Sequence, residues 1–270
     1  MPSMALMKDL TAFAEKLSQN RLEKKSVLHL QGFPLGQRQL EEISQLDHLR
    51  LLSLPDCGLS SLEPLTALSE LHTLVVTSND LSDPGEFSEF PQLTTLRARD
   101  NRFRGLPKQE VMQQLAWLDF SHNPLVSGDA LGACTQLQKL NLSHTLIPDF
   151  SFLKDLTQLT SLYLNQCLLL ELPPLQAMTQ LKRLFLSGNK LKSLEDLPVQ
   201  PELQMADLSD NKLRHIPQWI WQQGLPYLMD EHAYHETGVY VQGNPLDRPL
   251  FEAICQGPQT LGEFYQKMEP

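Results

Sequence analysis

Seven stretches of this chain repeat one another: "LHTLVVTSNDL" from Leu71, "LTTLRARDNRF" from Leu93, "LAWLDFSHNPL" from Leu115, "LQKLNLSHTLI" from Leu137, "LTSLYLNQCLL" from Leu159, "LKRLFLSGNKL" from Leu181 and "LQMADLSDNKL" from Leu203. Each begins 22 residues after the one before it. A period of this length commits a chain to stacking, because one short repeat cannot bury its apolar side alone and must lay it against the next. Within each stretch the central apolar residues alternate with other positions, the period of a short strand with one buried face. Outlying copies are "LRLLSLPDCGL" from Leu49, a degenerate "KSVLHLQGFPL" from Lys25 and "ETGVYVQGNPL" from Glu236, which makes about ten strands.

An asparagine closes most of the strands: Asn79, Asn101, Asn123, Asn189, Asn211 and Asn244. Its amide can bond backbone groups inside the turn and bridge to the neighbouring coil. Cys57, Thr145 and Cys167 stand in the same column, so those two thiols read as structural donors. Cys134 and Cys255 have no basic or histidine neighbour in sequence to activate them, and read as packed. After Leu59 an apolar residue recurs every third position, at Leu62, Leu65, Leu68 and Leu71. Ile147, Phe150, Leu153, Leu156 and Leu159 do the same. That spacing suits short 3₁₀ turns better than α-helix.

The consensus L-x-x-L-x-L-x-x-N/C-x-L resembles the leucine-rich repeat family, in its short 22-residue class, over residues 25–246. The resemblance implies an α/β solenoid. It is expected to be a curved, right-handed horseshoe with a parallel sheet on the concave face and 3₁₀ turns or short helices on the convex face. Residues 1–270 are expected to form a single domain with a helical cap at each end. Apolar residues at helical spacing near 4–18 place one cap in 1–24, and "QRQLEEISQLDHL" reads as a helical convex segment of the first repeat. Leu250, Phe251 and Ile254, a break at Gly257-Pro258, then Leu261, Phe264 and Tyr265 place the other in 247–270. This second cap resembles that of many bacterial members, whereas the cysteine-rich caps of extracellular members are absent.

Acidic residues outnumber basic ones, 32 to 22, for a formal charge of −10. That balance repels phosphate backbones and anionic lipid, so neither nucleic acid nor membrane is an expected partner. No run of 18 apolar residues occurs and no signal sequence opens the chain. With scattered cysteines, this points to a reducing cytoplasmic setting, with signal-independent secretion as the other route.

Residues 230–236, "DEHAYHE", imitate a metalloenzyme motif. The order His232-Ala-Tyr-His235-Glu236 matches neither H-E-x-x-H nor its inversion, and no third ligand is nominated by the sequence. "LPYLMD" from Leu225 makes a start on the repeat pattern, and the pair reads as part of an insertion near 225–235, or a degenerate unit, between the ninth and tenth strands. Neither a phosphate-binding glycine loop nor a nucleophile elbow is present. His122 and His144, with Asp100 and Asp210 in their column, sit on an open face that offers no dry pocket for acid–base chemistry. The chain is therefore expected to be no enzyme, to need no cofactor or metal, and to be a monomer. The catalytic domain that bacterial ubiquitin-ligase relatives carry after their repeats is not expected here, with about 24 residues following Leu246.

Function in this architecture lies on exposed strand positions. Between and beside the buried leucines these are Arg97, Arg99, Trp117, Asp119, Lys139, Asn141, Tyr163, Arg183, Phe185, Asp207 and Tyr240. Large aromatics with arginine on a rigid surface have the composition of an interaction hot spot. A basic, aromatic centre would also stand out on an acidic protein. The expected function is binding of a protein partner through the concave face. A secreted bacterial effector or a regulatory subunit acting by binding is the alternative, and a metal-dependent enzyme using His232 and His235 ranks below both.

Overall fold

The computed structural model describes residues 4–229 and 237–267. The chain falls into two compact units, Met1–Leu137 and Gln138–Pro270. The histidine-rich stretch 230–236, with His232 and His235, lies outside the described residues.

The N-terminal unit opens with helix α1 (Met4–Glu23). It buries Phe13 and Leu17. Buried Asn20 donates from Nδ2 to the Val27 carbonyl at 2.9 Å, while its Oδ1 lies 3.1 Å from His48 Nε2. The helix thus satisfies part of the first strand's edge, which would otherwise be left open. Strands β1 (Val27–His29), β2 (Leu51–Ser53), β3 (Thr73–Val75), β4 (Thr95–Arg97) and β5 (Trp117–Asp119) follow, parallel and neighbouring in chain order. Helix α2 (Gln37–Ser44) connects β1 to β2, and α3 (Gln109–Met112) connects β4 to β5. The register advances by one whole repeat, so Leu52, Leu74, Leu96 and Leu118 stand side by side and fully buried. The every-third-residue apolar spacing does yield 3₁₀ turns, at Glu63–Leu65, Pro84–Glu89 and Asp129–Ala133. Phe87, Phe103 and Phe120 fill the widest part of this core, with ring centroids 5.1 to 6.0 Å apart.

The C-terminal unit continues with β6 (Lys139–Asn141), a 3₁₀ turn at Ser151–Asp155, β7 (Ser161–Tyr163), β8 (Arg183–Phe185) and β9 (Met205–Asp207). Between β7 and β8 the prolines Pro173 and Pro174 remove N–H groups that a helix would use, and none forms there. Helix α4 (Gln218–Gln222) precedes β10 (Tyr227–Leu228), then β11 (Gly238–Tyr240), α5 (Arg248–Gln256) and α6 (Pro258–Gln266). The strand order here is β6-β7-β8-β9-β11-β10. The start on the repeat pattern at "LPYLMD" therefore does form a strand, of two residues. Tyr227 and Leu228 pair on the far side of β11, with Val239 N donating to Pro226 O at 2.8 Å. Gly238 makes room for them: at φ 133°, an added Cβ there would lie 2.8 Å from Leu228 Cδ1. Buried Tyr265 of α6 ties the end down by donating to the Ile216 carbonyl at 3.0 Å.

Two columns repeat through both units. The residue before the asparagine column takes a left-handed conformation: Asp56, Ser78, Asp100 and His122 in the first unit, His144, Gln166 and Asp210 in the second, with φ between 52° and 58°. Gly32, Gly188 and Gly243 do so at the equivalent place without a side-chain penalty. The asparagines that follow form a ladder. Asn123 Oδ1 accepts from Phe103 N at 3.0 Å, and its Nδ2 donates to the carbonyls of Ala98, Phe120 and Ser121. Where cysteine replaces asparagine the thiol donates instead, Cys57 to Leu30 O and Cys167 to Leu142 O.

Candidate functional site

Strand alternation turns one set of side chains into the core and leaves the other on an open sheet face. In the N-terminal unit that face carries Arg97, Arg99, Trp117 and Asp119. The Arg97 guanidinium lies 5.0 Å from the centroid of the half-buried Trp117 ring, a cation–π pair. Arg99 is exposed, with its guanidinium 3.4 Å from His122 Nε2.

In the C-terminal unit the register aligns Asn141, Tyr163, Phe185, Asp207 and Tyr240 in one row. A second row holds Lys139, Ser161 and Arg183. Tyr163 and Phe185 face each other as a stacked pair, centroids 4.6 Å apart and planes 12° from parallel. Both rings remain half exposed, and Lys139 and Arg183 stand exposed in the parallel row. Pairing fixes the rings without hiding them, so a partner would meet a prearranged apolar surface.

Three of the expected residues point their polar groups inward. Asp119 is buried, and its Oδ1 accepts from both Ser121 N (3.1 Å) and Ser121 Oγ (2.7 Å). Asn141 accepts from Ser143 N at 3.0 Å, and Asp207 from the backbone and hydroxyl of Ser209. Burial pushes the Asp207 carboxyl above its usual range, opposed by those two Ser209 hydrogen bonds. The D/N-x-S spacing at 119, 141 and 207 is an Asx-type turn signal, and it explains serines that otherwise read as neutral surface. These three brace the strand ends through their serine contacts, Asp119 buried and Asn141 and Asp207 partly exposed.

The thiols divide. Burial raises Cys57 to about 11 and Cys134 to about 12, and raises Cys167 as well, so these three stay protonated and serve as packing or donor groups. Cys255 is exposed, which corrects its reading as packed: on α5, Leu250, Ala253 and Ile254 take the buried side.

The profile described as "Leucine Rich repeats (2 copies)" matches residues 157–199. The solved structures that share the one-strand-per-repeat architecture include an internalin from Listeria monocytogenes. That match has a TM-score of 0.51 at 22% identity, covering 63% of this chain and 57% of the other. Over residues 157–199, and in its one-strand-per-repeat fold, the chain is similar to leucine-rich repeat proteins. A leucine-rich repeat protein from Leptospira interrogans superposes with a TM-score of 0.62 at 24% identity, over 80% of this chain and 60% of its own. The mouse RP105/MD-1 complex gives a TM-score of 0.61 at 22% identity, over 89% of this chain and 40% of that chain. The chain thus spans about half the length of these leucine-rich repeat structures. Curated proteins give no match. Among the described residues no group of three His, Cys, Asp or Glu is placed to hold a metal, and no helix is long and apolar enough to cross a membrane.

Proposed function

We propose that the chain is a protein-binding module whose partner docks on the open face of its repeat sheet, with the Tyr163–Phe185 stack as anchor. The observation that carries this reading is a stacked aromatic pair held half exposed on two adjacent strands, where the fold's own packing requires no large side chain. Arg183 and Lys139 supply cations in the next row, and the Arg97–Trp117 pair is a second anchor of the same composition in the N-terminal unit. Two structurally similar proteins, in the mouse RP105/MD-1 complex and in the octameric complex of latrophilin 3, Unc5D and FLRT2, are solved with protein partners, which supports recognition of protein over small molecules. Acting by binding covers both an effector and a regulatory subunit. The thiol donors Cys57 and Cys167 work only while reduced, which supports a cytoplasmic setting.

The test is affinity purification of partners with the intact protein, followed by calorimetry with the partner recovered. Tyr163→Ala or Phe185→Ala should weaken the complex by about 2 kcal/mol or more. Added salt should weaken it moderately without abolishing it, because apolar contacts are not screened. Should substitutions on the opposite, helix-bearing side abolish binding while these leave it intact, the reading fails.

A further inference from the structure

The turns that leave β6 and β7 differ from the rest of the surface. Leu146, Leu168 and Leu170 are 60%, 58% and 66% exposed, in a protein whose repeat leucines are otherwise almost all buried. They border a groove of about 670 Å³ whose walls include Pro148, Leu169 and Pro174. Leu168 is also held at φ 62°, a left-handed conformation that a branched side chain adopts only at a cost. Neither packing nor turn chemistry calls for leucine there, since glycine would relieve the backbone and a polar residue would suit the water.

The next two repeats place cations at the equivalent positions. Lys190 N bonds Leu169 O at 2.8 Å and Lys212 N bonds Leu191 O at 2.9 Å, so the three turns are zipped side by side. Leu168, Lys190 and Lys212 therefore form one column, and Leu170, Lys192 and Arg214 its companion. All four cations are exposed. The acidic groups nearby are Asp149, which accepts from Ser151 N and Oγ, and Glu171 beside the leucines, with Asp247 bonded through its N–H to the Arg214 carbonyl at the basic end. On a chain of net charge −10, this flank is apolar at one end and basic at the other.

We infer that this flank of the C-terminal unit is a second docking site, for a polypeptide segment that is apolar along one half and acidic along the other. Charge complementarity selects the acidic half, because on a chain of net charge −10 a carboxylate-rich segment is attracted to the few surfaces, this flank among them, where exposed cations cluster. The exposed leucines and the groove select the apolar half. Three repeat spacings of about 4.8 Å separate the Leu146 and Lys212 turns, about 14 Å, the length of two to three helical turns. The site is separate from the open sheet face and stands or falls apart from it.

The probe is a fluorescent helical peptide of about 14 residues, with leucines along one half of a face and glutamates along the other. Its twin carries lysines in place of the glutamates. Anisotropy with the intact protein should show the glutamate peptide binding at least about ten-fold more tightly than the twin. Lys192→Glu with Lys212→Glu should abolish or invert that preference. Leu168→Gly is the telling variant: it should leave the melting temperature unchanged or raised, yet lose most of the peptide binding. Tyr163→Ala should leave peptide binding untouched. No binding of either peptide, equal binding of both, or loss of binding in Tyr163→Ala would overturn the inference. So would co-sedimentation with phosphatidylserine vesicles that the same lysine reversals abolish, since the flank would then be a lipid surface.

Discussion

The phenylalanines of the N-terminal unit and the aromatic pair of the C-terminal unit use the same chemistry to opposite ends. Phe87, Phe103 and Phe120 are fully buried and touch one another at core spacing. Tyr163 and Phe185 are stacked more closely still, yet both stay partly open to water. Phe87 and Phe103 enter the core from turns, whereas for the strand-borne rings the difference is parity. Phe120 lies two positions beyond Leu118 and shares its face, whereas Phe185 lies one position beyond Leu184 and takes the other. A ring on the first face is worth stability, and a ring on the second is available for recognition.

That contrast can be broken or sharpened by substitution. Phe103→Ala should have the largest effect, about 3–5 kcal/mol lost in chemical denaturation, because its cavity sits between two other rings and cannot collapse. Leu162→Ala, on a strand whose neighbour Leu140 is equally buried, should cost about 2–5 kcal/mol. An unchanged midpoint for either would mean that the faces are assigned the wrong way round. Asn123→Ala should cost about 1–3 kcal/mol by stranding the Phe103 N–H and three carbonyls. If it melts with the wild type, the ladder contributes nothing and its conservation of geometry along the repeats is incidental. Smallest of all, Tyr163→Ala should change stability by less than about 1 kcal/mol, and a larger loss would move that ring from the recognition group into the core group.

The buried half of the molecule was legible from residue order, since leucine spacing sets both strand register and face, and the asparagine column announces the turn. The open face was legible only as composition. That Asp119 and Asp207 turn inward depends on serines two positions on, a local hydrogen-bond competition that the repeat consensus does not express. "LPYLMD" shows the start of a repeat, but not that Tyr227–Leu228 lies outside β11, because its pairing partner comes later in the chain and its place depends on Gly238 having no side chain. The exposed leucines at 146, 168 and 170 were in plain view, but within a leucine-rich pattern a leucine carries little information until its exposure is known.

The order β9-β11-β10 alters how this end of the solenoid can come apart. A stack of repeats ordinarily unravels from its last strand, which is tied to the chain on one side only, so each released segment becomes a free tail. Here the outermost strand is tethered at both ends, and the strand nearest the C-terminal helices lies inside it. Detaching β10 releases a closed loop, which gains less conformational freedom than a tail of the same length. A force applied through the C-terminus, once it has pulled α6 and α5 away, meets β11 before β10, and must shear the two ladders that flank it together instead of unzipping one.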